Sequence, residues 1–197
     1  MANQVVVLVR HGETEWSRDG RHTGKTDIPL TDGGRRQAKA LGAELSAWQF
    51  ALVLTSPLAR ARDTCTLAGY GKDAHVRPEL VEWDYGRYEG LTSKQIAVTN
   101  PEWSLWRDGG PGGEKAADVG RRVDRVIAEV RGVDGDVLIF AHGHVLRVLA
   151  SRWLGEAPED GRHYSLQTAA VSVLGSEHRD PVIRHWNQTP ASGAQDG

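Results

Sequence analysis

The feature that most limits how this chain can fold is one pattern that occurs three times. An apolar, largely β-branched run ends in a short polar cluster. "VVVLV" (5–9) runs into Arg10-His11-Gly12, "FALVL" (50–54) into Thr55-Ser56-Pro57, and "DVLIFA" (136–141) into His142-Gly143-His144. Continuous apolar runs of this length read as strands buried on both faces, the situation of strands in a parallel sheet. The stretches between them have helical periodicity. Thr31 is a candidate N-cap before Ala38, Leu41, Leu45 and Trp48, and Pro57 stands where a first helical residue would, ahead of "LARARDTCTLAG" and its closing glycines. Val119, Val123, Val126 and Val130 mark a further amphipathic helix, and another follows the third strand to Leu154 and Gly155. Strands alternating with helices predict an α/β fold, a mostly parallel open sheet with helices on both faces. "HVRPEL" carries a short strand signal, "AAVSVLG" and "PVIRHW" read as late strands, and residues 17–30 and 99–113 read as loops.

Composition closes off several alternatives. With 197 residues the chain is long enough for one domain with a real core, expected over 1–186, with 187–197 as a flexible polar tail. A net charge of −2 gives no bulk attraction to nucleic acid or to an anionic membrane. The single cysteine, Cys65, cannot form an internal disulfide, and no cysteine cluster suggests structural zinc. No apolar run approaches membrane-spanning length, and the N-terminus lacks a basic segment followed by a long apolar one. The expected setting is cytoplasmic, with no nucleic-acid and no membrane partner.

Parallel strands place their carboxyl ends on one sheet edge, and open α/β sheets bind ligands there. The three polar clusters therefore converge. They bring two histidines, Arg10, Arg60 or Arg62, and free helix N-termini, a combination suited to a phosphate dianion. A neutral imidazole can attack phosphorus and become a phosphohistidine, while arginines offset charge on the equatorial oxygens. A second histidine, kept protonated by the same anion, would add a donor. The leaving oxygen then needs a carboxylic acid opposite the nucleophile. Glu79, Glu82, Asp84, Glu89 and Glu114 are candidates, and chemistry alone does not choose among them.

In chain order, "LVRHGETEW", "TSPLARARDT", "EWDYGRYEG", "GPGGE" and "FAHGH" resemble the motifs of the histidine phosphatase superfamily, the phosphoglycerate mutase-like group, across roughly residues 5–175. The resemblance implies that His11 is the phosphorylated nucleophile, that Arg10 and Arg60 bind the phosphoryl group, and that His142 is the second pocket histidine. It implies that Glu82, opening the E-x-x-Y-G pattern, is the proton donor, that no metal or cofactor is needed, and that Thr23 and Gly24 contact substrate. After "ETEW" the commoner residue is Asn; here Ser17 offers a shorter donor.

The family performs both mutase and phosphatase reactions. Cofactor-dependent mutases resemble one another in "G-L-N-K" and "W-R-R", where this chain has Gly90-Leu91-Thr92-Ser93, with Lys94 one place on, and Trp106-Arg107-Asp108. Replacing cations by neutral and negative groups weakens the grip on a second anion, so hydrolysis is expected. Phosphoglycerate mutase-type transfer is the alternative. Several words resemble the branch with sedoheptulose bisphosphatase and acid phosphatases, which points to a small phosphorylated metabolite such as a sugar phosphate. Tyr85, Arg107, Gly143, His144 and His22 are then expected at the substrate, and Trp103 and Trp106 form either a lid or pins for a long loop. Dimers are common in the group, so a homodimer is allowed. Two further readings compete: a metal-dependent hydrolase using His142 and His144 with His11 and an aspartate completing the set, and a non-catalytic module that docks phosphorylated ligands.

Overall fold

The computed structural model describes residues 4–190. Six strands form one sheet in the order β3-β2-β4-β1-β5-β6, with β1 Val6–Arg10, β2 Phe50–Thr55, β3 Ala74–Val76, β4 Asp136–Ala141, β5 Val171–Glu177 and β6 Asp180–Gln188. The first four strands in that order run parallel, as expected from the apolar runs. β5 pairs antiparallel with β1, and β6 with β5, so the sheet is mixed at one end. The β5–β6 loop is His178-Arg179, both at positive φ (50° and 79°). Neither is a residue that advertises such a turn, so the hairpin had no sequence signal. β6 reaches Gln188, past the expected start of the tail at 187; residues 191–197 lie outside the described residues.

Among the described residues there are seven α-helices: α1 Glu15–Arg18, α2 Asp32–Leu45, α3 Ala59–Leu67, α4 Ser93–Thr99, α5 Leu105–Asp108, α6 Ala116–Arg131 and α7 Gly143–Leu154. Strand side chains alternate between two cores. Val6 and Leu8 of β1, with Val137 and Ile139 of β4, pack with α6 and α7; Val7, Val9, Leu138 and Phe140 pack with α2 and α3 on the other face. The valine stripe of α6 is buried throughout. Each such side chain contributes about 1.5–3 kcal/mol of apolar burial, before conformational entropy is charged against it, so Val123→Asp would be expected to detach this helix.

Two helix starts depart from local rules. Thr31 does cap α2, accepting from the Gly34 N–H at 2.9 Å. α3, however, begins at Ala59 rather than at Pro57, and its N-cap residue Leu58 has no side-chain acceptor. The carboxylate of Asp27, from the 17–30 loop, accepts from Ala59 N–H at 2.9 and 3.0 Å instead. The start of α7 is handled the same way, by a carboxylate far away in sequence. These contacts set the loops over the carboxyl edge of the sheet. Within 99–113, Trp106 meets buried Trp83 edge-on at 5.5 Å, while Trp103 meets Tyr88 edge-on at 4.9 Å and donates to the Gly109 carbonyl. The tryptophans pin the excursion to the body.

Candidate active site

β1 and β4 are adjacent and parallel with Arg10 opposite Ala141, and β2 lies beside β4 with Thr55 opposite Phe140. His11 and His142 are each the first residue past a strand, so register alone brings their rings to 5.2 Å between centroids. The turn after His11 is drawn onto the start of α2. A Cβ at Gly12 would stand 2.4 Å from the Gly34 carbonyl oxygen, so only glycine permits this approach.

His11 is buried, and its Nδ1–H donates to the Gly12 carbonyl at 2.7 Å. That bond fixes the tautomer and leaves the Nε2 lone pair free. Burial, followed by the charges of Arg10 and Arg60, holds the ring's pKa well below the usual histidine value, so it is neutral at physiological pH. His142 is fully enclosed. Its Nδ1 accepts from Arg60 Nε at 3.1 Å, which places its proton on Nε2, 2.7 Å from Ser56 Oγ. Burial and Arg60 lower its pKa well below the ordinary range too. With Arg60 donating to Nδ1, the ring of the ligand-free molecule is neutral, whereas the expectation was of a ring protonated beside a bound anion.

The arginines differ in placement. Arg10 Nη1 donates to the Leu166 carbonyl at 2.5 Å, while its buried Nε has no protein acceptor. Arg10 borders a cavity of about 260 Å³, together with His11 and Glu82. Arg60 is completely buried and does not line that cavity. Its Nη1 donates to the Thr26 carbonyl (2.9 Å) and its Nη2 to those of Gly24 (2.8 Å) and Thr23 (3.2 Å). It stands behind the histidine pair as a buried positive charge that also ties down the 23–26 loop. Arg62 is exposed.

Geometry also chooses among the five carboxylates. Glu82 lines the cavity. Its Oε1 accepts from the N–H groups of Trp83 and Val145 (both 2.9 Å) and its Oε2 from that of His144 (3.0 Å), so it caps the start of α7, where His142 supplies no side-chain cap. Oε2 keeps a lone pair on which a transferable proton can sit. The other four have structural partners. Glu89 accepts from Gly24 and Thr26 N–H, and Asp84 is bonded to Lys25 and Gly86 N–H. Glu79 lies 3.5 Å from Arg125, and Glu114 holds Arg122 and the Asp84 N–H.

The expected substrate residues divide. Thr23, Tyr85, Gly143, His144, Ser17 and His22 line the cavity. Gly143 lies flush on Arg10, where a Cβ would come within 3.3 Å of the guanidinium carbon. Tyr85, whose hydroxyl burial holds in its protonated form, shares a hydrogen bond of 2.7 Å with His144 Nδ1. Ser17 is spent locally: its hydroxyl accepts from Thr14 N–H and donates to the Thr14 carbonyl in a capping box, so it has no proton to offer a phosphate. Gly24 does not line the cavity, because its N–H goes to Glu89 and its carbonyl to Arg60. Arg107 is 63% exposed and points away, paired with Asp108 at 2.8 Å and bonded to the Glu102 carbonyl. The aspartate in place of a second arginine holds it there.

Sequence reasoning missed Arg147, Arg21 and Ser93, all on the cavity wall. Arg147 had a usable signal: it follows His144 by three residues, hence on one helix face. Its guanidinium lies 4.7 Å from the Trp106 ring centre and donates to the Gly161 and Arg162 carbonyls. Leu166 contributes through its backbone carbonyl, for which no signal exists. A larger cavity of about 900 Å³, bounded by Arg131, Trp153 and Arg179, contains none of these groups. Among the described residues no cluster of three His, Cys, Asp or Glu side chains is arranged for a metal ion, and His142 spends both ring nitrogens on Arg60 and Ser56.

Comparison with known proteins agrees with this geometry. The chain matches the histidine phosphatase superfamily (branch 1) over residues 6–189. It is 41% identical over 180 residues to an acid phosphatase of Mycobacterium tuberculosis, covering 89% of this chain and 88% of that one. It is 35% identical over 181 residues to sedoheptulose 1,7-bisphosphatase of Saccharomyces cerevisiae, covering 76% and 67%. A solved structure of an open reading frame product from Mycobacterium tuberculosis superposes with a TM-score of 0.91 at 39% identity, covering 95% of this chain and 98% of that one.

Proposed function

The chain belongs to the histidine phosphatase superfamily, branch 1, and from that membership we propose that it hydrolyses small phosphorylated metabolites through a phosphohistidine formed on His11. The observation that carries the reading is the Nδ1–H bond from His11 to Gly12, which presents a neutral Nε2 to a cavity that Glu82 also lines. A phosphoryl group there meets Arg10, whose Nε has no protein acceptor, and the buried charge of Arg60 behind the histidines. In the first step Nε2 bonds to phosphorus, the bond from phosphorus to the ester oxygen breaks, and the Glu82 proton goes to that oxygen. In the second, Glu82 takes a proton from water, whose oxygen attacks phosphorus, and inorganic phosphate leaves His11 free. Neutral His142 donates to Ser56 and accepts from Arg60, so it orients that guanidinium. Thr23, Gly143, His144, Tyr85 and Arg147 shape the substrate end.

Hydrolysis is favoured over mutase transfer by the rim. Asp108 holds Arg107 outward, and Lys94 is exposed and does not line the cavity, so the expected clamp for a second anionic group is missing from both positions. Relatives named for acid phosphatase and for sedoheptulose bisphosphatase activity support sugar phosphates as the substrate class. The reading extends to one domain, a cytoplasmic setting and a homodimer, the last checked by sedimentation. The main test uses ³²P-labelled ester. An acid-labile, base-stable label on the protein, absent in His11→Ala, together with phosphate release that survives exhaustive chelation, supports the reading. Label retained by His11→Ala, or release abolished by chelation, overturns it.

A further inference from the structure

Resting on the catalytic reading above, we propose that a second cavity beside the phosphoryl pocket seats the leaving group, and that it takes a neutral ring of monosaccharide size carrying hydroxyl groups. This cavity, of about 270 Å³, shares His22, Ser93 and His144 with the phosphoryl cavity, so the two are neighbours across one wall. The shared wall is where the ester oxygen must point. The His144 N–H is bonded to Glu82 Oε2, so an oxygen protonated by Glu82 lies next to His144, and whatever it carries continues past that ring.

Among the described residues, the second cavity has no permanently charged side chain on its wall: it is lined by no Asp, Glu, Lys or Arg. Trp103 and Trp106 supply indole surface, and Ser93, Asn100 and Ser104 supply hydroxyl and amide groups. Two of the nearby cations are committed elsewhere: Arg107 to Asp108, and Arg147 to two carbonyls with its face on Trp106. An anion seated there would lose hydration without gaining a partner. A ring with hydroxyls at its edge and C–H groups on its face would satisfy both wall types. The volume holds roughly nine groups of water size, at ~30 Å³ each, enough for a single sugar ring.

The two tryptophans are fixed rather than adaptable. Trp106 is held against Trp83, and Trp103 against Tyr88 with its Nε1 on the Gly109 carbonyl. The cavity is thus a preformed shape that selects among leaving groups.

The test measures phosphate release from methyl phosphate, 3-phosphoglycerate, a hexose monophosphate and a hexose bisphosphate. It uses wild type and Ala97→Trp, a substitution at an exposed α4 position on the cavity wall. The expected result is a wild-type kcat/KM for the hexose monophosphate at least tenfold above those for methyl phosphate and phosphoglycerate. Ala97→Trp should lower the hexose monophosphate value about tenfold and leave methyl phosphate within about twofold. Ala97→Leu is a smaller plug should the tryptophan variant fold poorly, with an effect of the same sign. A preference for the bisphosphate or the glycerate, or equal loss on every ester, overturns the proposal. Failure of wild type to release phosphate from any ester, with no labelled histidine, overturns the catalytic reading and this proposal together.

Discussion

The floor and the rim of the cavity are built by different means. At the floor, His11 and Glu82 line the cavity with Arg60 and His142 enclosed behind them, and all four are at most 4% exposed. His11 and His142 stand one residue past paired strand ends, and Arg60 lies in the first turn of α3, the helix after β2. At the rim, side chains lie on excursions and on α7, and their direction depends on which neighbour wins them. Arg107, expected at the substrate, is turned outward by Asp108, while Arg147, which was not expected, is turned inward over Trp106. Position on a sheet edge is set by backbone register, which hundreds of atoms enforce. The direction of a long side chain is set by a few local contacts: for Arg107 an exposed ion pair, a type worth roughly 0–1 kcal/mol, and for Arg147 two carbonyls and the Trp106 face.

That contrast can be broken at the floor first. Glu82→Gln should slow alkyl esters by about 10²–10³-fold while slowing nitrophenyl phosphate far less, because a good leaving group needs no proton. Equal slowing of both, in parallel steady-state assays, would remove Glu82 as the acid. Next in size is Arg122, which is buried and not at the cavity. It donates to the carbonyls of Glu79 (2.6 Å) and Val81 (2.7 Å) and grips Glu114, which holds the Asp84 N–H and whose carbonyl accepts from Trp83 Nε1. Both sides of Glu82 are thereby strapped to α6. Arg122→Met should cost about 2–4 kcal/mol, since it leaves Glu114 and two carbonyls short of a donor. Denaturant melts would show it, with the alkyl-ester rate falling more than the nitrophenyl rate. A loss below ~0.5 kcal/mol would show that the strap is dispensable.

A smaller effect appears in the pH dependence, and it includes His144, whose pKa burial and then Arg147 also hold well below the usual histidine value. His11, His142 and His144 resist protonation in the folded state but would take a proton near pH 6.5 when unfolded. The unfolded chain then binds more protons than the native one, so stability rises with pH through this range and falls as pH drops below about 6.5. The slope contributed is at most ~1.4 kcal/mol per pH unit for each ring. His142→Gln should flatten the dependence of stability on pH between 7 and 5; an unchanged slope would refute the neutral native ring. The smallest expected change is at the rim. Arg107→Ala should alter stability by under ~0.5 kcal/mol and activity by under about twofold; a tenfold loss in kcat/KM would put that side chain back at the substrate.

The parallel core of the fold was legible because a buried strand needs a continuous apolar run, and β1, β2 and β4 each have one. The antiparallel end was legible only as two strands, since the His178-Arg179 turn has no glycine or asparagine to mark it. In the site, strand-end residues could be placed by counting. Ser17 and Gly24 could not, because their hydrogen bonds go to Thr14, and to Glu89 and Arg60. The choice of Glu82 among five carboxylates came from family resemblance; only the cavity and the helix end it caps supply the physical ground.

By itself the sequence determined that three strand ends would meet, and that two histidines and an arginine would meet with them, because apolar periodicity and parallel pairing are local and additive. Tertiary structure decided which carboxylate faces them, which arginine turns inward, and which distant acids cap α3 and α7. Those outcomes depend on competition for a limited number of hydrogen-bond partners, and that competition exists only once the loops are packed over the sheet.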